Sequence, residues 1–141
     1  MKEPAAGTPV AFLVSAACVL PARVVSNAEM AAARGVDPEW IRTTSGIESR
    51  RYAAADESVV SLGTEAARRC LAAASDAQIG LVLVASSSAP RRWPGPAAEV
   101  AQALGLSTVP ALDVPLPSAG GVYALALARS LAADYGDVLV V

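Results

Sequence analysis

Three short apolar runs, residues 81–85, 111–114 and 137–141, are separated by stretches long enough for a helix, and this spacing constrains the fold more than any other feature. Runs of four to eight apolar residues suit strands buried on both faces. Strands that alternate with helices build a largely parallel sheet covered by those helices. The stretches between them predict an amphipathic helix over residues 58–74, a second over 97–104, and a third from Ser118 to about Tyr135. The loops richest in Pro and Gly are residues 86–96 and 107–110. The expected class is α/β, with no internal repeat and no low-complexity linker.

Residues 10–20, from Val10 to Leu20, read as a further buried strand. The run is too short to span a bilayer, and Lys2 and Glu3 before it nearly balance, so neither a membrane segment nor a signal peptide is expected. Hydrophobic residues make up 54% of the chain and charged ones 17%, with a mean hydropathy of +0.45. Such an apolar chain is expected to pack one face against a companion. Its 141 residues permit one domain with a core, and a net charge of −2 points away from nucleic acid as a main partner. Cys18, in the N-terminal run, and Cys70, on the helix over 58–74, read as buried free thiols of a reducing cytoplasm.

The segment Asp113-Val-Pro-Leu-Pro-Ser118-Ala-Gly-Gly-Val-Tyr123 carries the chemistry. Proline cannot donate to a sheet ladder, so Pro115 and Pro117 end the strand near Val114, and Ser118 emerges where a helix begins. Unpaired N–H groups and the positive end of the helix dipole favour an oxyanion there, or a nucleophile losing its proton. Gly120 and Gly121 leave the approach open. An ordinary N-cap is the alternative role for Ser118.

Read outward from Ser118, the chain resembles the N-terminal half of the β-ketoacyl-[acyl carrier protein] synthase III family, which has the thiolase fold. The segments that carry the likeness stand in order. They are Leu20-Pro21 through Asn27, Glu39-Trp40-Ile41, Ser45-Gly46-Ile47 with Arg50-Arg51, Glu65-Ala-Ala67, residues 78–89, and the run from Asp113 to Leu125. The resemblance implies a thiolase-like αβαβα fold, with residues 1–141 as its N-terminal half and a mainly parallel buried sheet covered by helices. The strand of residues 137–141 is expected to be cut short at the chain end, with the C-terminal half as partner.

In the family the position of Ser118 is a cysteine that takes an acyl group from a thioester, and the aromatic usual three places later is Gly121 here. A thiol at a helix N-terminus ionises partly near neutrality, whereas a hydroxyl needs a general base at the moment of attack. An acyl-serine is an oxygen ester, less reactive toward a carbon nucleophile than a thioester, which tilts the expectation from condensation toward acyl transfer. The chain has no histidine, so the imidazole base would come from the C-terminal half. An engineered Cys-to-Ser trap and an inactive homologue are alternatives.

The resemblance also implies substrate contacts. Trp40 matches the position that stacks on the adenine of coenzyme A; its alternative role is a core aromatic. The family's arginine four residues later is Thr44 here, and Arg42 is the replacement considered, on a different helix face. Trp93 matches an aromatic on a loop that walls the acyl pocket of the other subunit of a dimer, which implies an acetyl- or propionyl-sized acyl group; interface packing is the alternative. Arg91 and Arg92 are candidates for attracting an acidic carrier protein, and Asp113 for a structural role.

The implied whole is a cytoplasmic homodimer-type acyltransferase that takes an acyl group from an acyl-CoA or acyl-carrier-protein thioester and primes polyketide synthesis. It needs no metal and no cofactor, and no nucleic acid or membrane partner. The other readings are a decarboxylative ketosynthase and a non-catalytic scaffold subunit.

Overall fold

The computed structural model describes residues 11–91 and 93–141. Lys2, Glu3, Val10 and Arg92 lie outside the described residues. Two compact units form, one of residues Leu20–Ser58 and one of residues 11–19 with Val59–Val141.

The smaller unit pairs β1 (Arg23–Ser26) antiparallel with β2 (Ser49–Tyr52), and between them run α1 (Asn27–Arg34) and α2 (Pro38–Ser45). Each helix carries its own stop and start signals. Ser26 and Asp37 cap them by accepting from the Glu29 and Glu39 N–H groups, and Gly35 and Gly46 end them at φ 68° and 70°. Buried Asn27 joins the pieces. Its Nδ2 donates to the Ile47 carbonyl at 2.7 Å, and its Oδ1 accepts from the Arg50 guanidinium at 2.7 Å. The segments Asn27, Ser45-Gly46-Ile47 and Arg50 thus meet because a buried amide needs partners for both of its ends.

The larger unit begins with α3 (Val59–Ala72), followed by β3 (Ile79–Ala85), α4 (Pro96–Ala103), β4 (Ala111–Val114), α5 (Gly120–Tyr135) and β5 (Asp137–Val140). The sheet is parallel, in the order β4-β3-β5. The connection through α4 steps from β3 to β4, and the one through α5 runs back across β3 to β5. Right-handed crossovers in opposite directions put their helices on opposite faces. Val82 and Val84 of β3 cluster with Ala67 of α3, Ala97, Val100 and Ala101 of α4, and Leu139 of β5. Leu81 and Leu83, fully buried, point the other way, toward the face where α5 packs on β3 and β5. The central strand is therefore apolar at every position from 81 to 84, as the sequence required. At Gly80 the ladder is irregular, and a Cβ there would stand 1.9 Å from the Tyr135 carbonyl oxygen, so only glycine lets the end of α5 pass.

Three expectations fail. Residues 11–20 form no strand, and Phe12, Leu13 and Val14 are each more than 70% exposed. A β-strand exists only with a ladder partner, and these residues have none among the described strands. Cys18 is consequently exposed rather than buried, and Cys70 is half-buried with the Ser15 hydroxyl 3.0 Å from its sulfur; both are free thiols. The third helix begins at Gly120, two residues later than predicted, because of the turn around Ser118.

The outer side of α5 is apolar and open: Val122, Tyr123, Leu125 and Leu127 are exposed. A helix apolar on all sides belongs to an interior, which agrees with the apolar composition. Among the described residues no helix is long and apolar enough to cross a membrane.

Candidate active site

Parallel strands bring their C-terminal ends to one edge, and in an open α/β sheet ligands bind there, where the strand order reverses. At this edge β3 releases the loop of residues 86–95, with Trp93, and β4 releases residues 115–119, with Ser118. The larger unit therefore brings Ser118 and the Trp93 loop to the same end of the sheet.

The chain leaves β4 through two tight turns. The Leu116 N–H donates to the Val114 carbonyl at 2.8 Å around Pro115, and the Ala119 N–H donates to the Pro117 carbonyl at 2.6 Å around Ser118. The second is a γ-turn of the positive-φ form, which is rare and strained. Ser118 has φ 56° and is the one described residue other than glycine with positive φ. A left-handed conformation costs an L-residue roughly 1–2 kcal/mol, and strain of this kind collects at functional positions. It persists here because proline fixes φ at position 117 and the buried start of α5 follows at once.

Ser118 is not the cap of α5. The N-cap position is Ala119, and no side chain caps the helix. Among the described residues the Ser118 hydroxyl and N–H, and the N–H groups of Gly120, Gly121 and Val122, have no hydrogen-bond partner. An exposed hydroxyl thus stands beside the open first turn of a 16-residue helix. That arrangement suits nucleophilic attack with backbone donors for the developing oxyanion.

Trp93 is 90% exposed. Its loop is held at two points. The Arg91 guanidinium bonds the Glu99 carboxylate at 2.8 Å on the surface, and the Asp113 carboxylate of β4 accepts from the Ala97 N–H at 2.8 Å. The Arg91 side chain is thus already engaged. Sequence reasoning placed Asp113 only at a strand end. The available signal was Gly95-Pro96, a helix start with no side chain able to cap it.

Trp40 and Arg42 belong to the other unit, on α2. Trp40 is 58% exposed, which removes the core-aromatic alternative within that unit. The Arg42 guanidinium bonds both carboxylate oxygens of Glu39, at 2.6 and 2.9 Å. This pairing holds the Glu39 carboxyl below its ordinary range and raises the arginine further above its own. Arg42 is therefore committed to a neighbour on its own helix, and a phosphate would have to compete with Glu39 for it. Among the described residues no cluster of His, Cys, Asp and Glu is placed to hold a metal ion.

Known proteins with this arrangement point one way. A β-ketoacyl-[acyl-carrier-protein] synthase III from Streptomyces avermitilis is 43% identical over 110 residues, 77% of this chain and 35% of the relative. The chain belongs to the synthase III family. Two crystal structures agree. The 3-oxoacyl-[acyl-carrier-protein] synthase III of Aquifex aeolicus matches with a TM-score of 0.83 and 29% identity, over 90% of this chain and 42% of that one. The priming β-ketosynthase from the R1128 polyketide biosynthetic pathway matches with a TM-score of 0.79 and 33% identity, over 87% of this chain and 37% of that one. The expected thiolase-like α/β architecture is thus the observed one. The chain spans little more than a third of the length of the curated relatives it matches. No family model matches it.

Proposed function

We propose that this chain supplies the nucleophile of a synthase-III-type acyltransferase that loads a short starter acyl group for polyketide synthesis. The observation that carries the reading is Ser118 at φ 56° in a strained γ-turn at the C-terminal end of β4, with its hydroxyl unpartnered beside the first turn of α5. Support for the starter role comes from the likeness to a priming ketosynthase, and for a carrier-protein partner from the relatives' own names.

The Ser118 oxygen attacks the carbonyl carbon of an acyl thioester. A base takes the hydroxyl proton, the C–S bond breaks, and the sulfur leaves as a thiol carrying that proton, so an acyl-serine ester and one free thiol result. The Ser118 N–H and the free amides of the first turn of α5 hold the oxyanion of the tetrahedral intermediate. In the second step a carrier-protein thiol attacks the ester and Ser118 recovers its proton. None of the 141 residues is histidine, so the base comes from the remainder of the protein, the C-terminal half of the same fold. In a dimer, Trp93 of one copy walls the acyl pocket of the other and limits the acyl group to acetyl or propionyl size, and Trp40 offers an exposed indole to the donor.

Transfer and condensation are separated by supplying the completed protein with labelled acetyl-CoA, carrier protein and a malonyl-loaded carrier protein. Transfer gives acetyl carrier protein without carbon dioxide. Stoichiometric carbon dioxide would favour the decarboxylative ketosynthase, and absence of both products the scaffold subunit.

A further inference from the structure

We infer that Glu39 is a specificity-determining residue: by holding Arg42 it leaves the α2 surface around Trp40 unable to recognise the 3′-phosphate of an acyl-coenzyme A donor. This concerns the smaller unit alone and rests on the reading above that the Trp40 indole meets the donor. Three features of that surface carry it.

The first is where the phosphate would lie. Adenine is the one planar aromatic group of coenzyme A, so it is the part on which an exposed indole can stack. The 3′-phosphate sits on the ribose joined to that base. A stack on the exposed Trp40 therefore brings the phosphate within reach of α2 side chains.

The second is the state of the cation. Arg42 is the one basic residue of α2, two places after Trp40. A guanidinium suits phosphate because its fork binds two oxygens at once. Here that fork is filled, since Nε and Nη2 donate to the two Glu39 carboxylate oxygens at 2.9 and 2.6 Å. The field of Glu48 also reaches Arg42, after the bond from Glu39, and Asp37 stands at the N-cap. Three carboxylates against one guanidinium disfavour a further anion. Elsewhere in the unit Arg23 bonds Glu29, Arg50 bonds Asn27, Arg51 bonds the Pro21 and Ala22 carbonyls, and Arg34 closes the last turn of α1.

The third is the direction of the hydroxyls. Thr43 Oγ1 donates to the Glu39 and Trp40 carbonyls at 2.9 and 3.2 Å, and Ser45 Oγ donates to the Ile41 carbonyl at 2.6 Å. A hydroxyl has a single proton, and in both residues the helix backbone takes it.

Donors that differ only at the nucleotide end test this in the completed protein: acetyl-CoA, acetyl-3′-dephospho-CoA and acetyl-pantetheine. The native protein should use the first two with kcat/KM values within about twofold of each other. Glu39→Gln frees the guanidinium and should raise the ratio of acetyl-CoA to acetyl-3′-dephospho-CoA to about fourfold, through KM rather than kcat, as for one solvated charge contact. Adding Arg42→Gln should return the ratio to about one. A native preference for acetyl-CoA of about fourfold or more overturns the inference, as does a ratio that Glu39→Gln leaves unmoved or a rise that survives Arg42→Gln. Trp40→Ala should slow both nucleotide donors about tenfold relative to acetyl-pantetheine, the loss of one base stack. No such slowing would remove Trp40 from the donor site and the inference with it, while acyl transfer to Ser118 stands. If no donor acylates the native protein, the acyltransferase reading fails, and calorimetry with coenzyme A and 3′-dephospho-CoA decides the inference instead. Equal Kd values in the native protein that separate in Glu39→Gln support it; tighter native binding of coenzyme A, or binding of neither, overturns it.

Discussion

Ser118→Gly is expected to stabilise the chain while ending its acyl chemistry. Relief of the left-handed conformation returns roughly 1–2 kcal/mol, and the extra freedom of glycine in the unfolded chain takes back about 0.4–1 kcal/mol. The balance is a gain of about 0.5–1 kcal/mol, or a rise in Tm of about 2–4 °C for a chain of this size. Ser118→Ala separates the two effects, since it removes the hydroxyl but keeps an L-residue at φ 56°. Its Tm should stay near that of the native chain, and its acyl attachment should be lost as completely. Thermal unfolding of the three proteins side by side tests this. A glycine variant no more stable than the alanine variant would mean that the turn stores no strain, and the structural case for Ser118 as nucleophile would lose its main support.

Ser118→Cys is expected to change the need for a base. A hydroxyl must lose its proton to a general base as it attacks, and this chain holds no histidine, whereas a thiol supplies its own thiolate. The 141-residue chain alone should therefore accumulate an acetyl adduct from acetyl-CoA when residue 118 is cysteine, and none when it is serine. The first turn of α5 should lower the thiol pKa below its usual value near 8.5, so labelling should rise with pH and reach half its maximum at lower pH than an ordinary cysteine. A one-unit decrease gives about ten times more thiolate at pH 7. The lower nucleophilicity of the more acidic thiol offsets part of that gain, leaving about a threefold advantage with iodoacetamide. Cys18, exposed in the same chain, is the internal reference. Labelling of residue 118 no faster than Cys18 would show that the helix terminus does not activate this position.

Much of the α/β frame is legible in the sequence because its signals are local. The uninterrupted run at β3 is explained by burial on both faces, and β4 ends where Pro115 removes a donor. The N-terminal run misled, since an apolar segment with β-branched residues becomes a strand only if a ladder is present, and composition carries no information about that. Strands β1 and β2 gave little signal, since Arg23, Ser26, Ser49, Arg50 and Arg51 break any apolar alternation, and the pairing is fixed by Asn27 and Arg50 instead.

The turn that presents Ser118 was legible from the proline pair and the glycines after it, but not its conformation. Sequence alone favours Ser118 as an N-cap as readily as a turn centre, and it is the Ala119 to Pro117 hydrogen bond that moves the helix start past it. The roles of Asp113 and of Glu39 as the partner of Arg42 were hidden for a different reason. Each depends on which charged group comes nearest in space, and only the folded chain decides that.

The most direct test is intact-mass measurement of the completed protein after exposure to a panel of acyl-CoAs, followed by mapping of the adduct. A single acetyl or propionyl adduct on the Ser118 peptide, absent from Ser118→Ala, is the expected result. Absence of any adduct with the C-terminal half in place would contradict a serine nucleophile and leave the chain as a structural subunit.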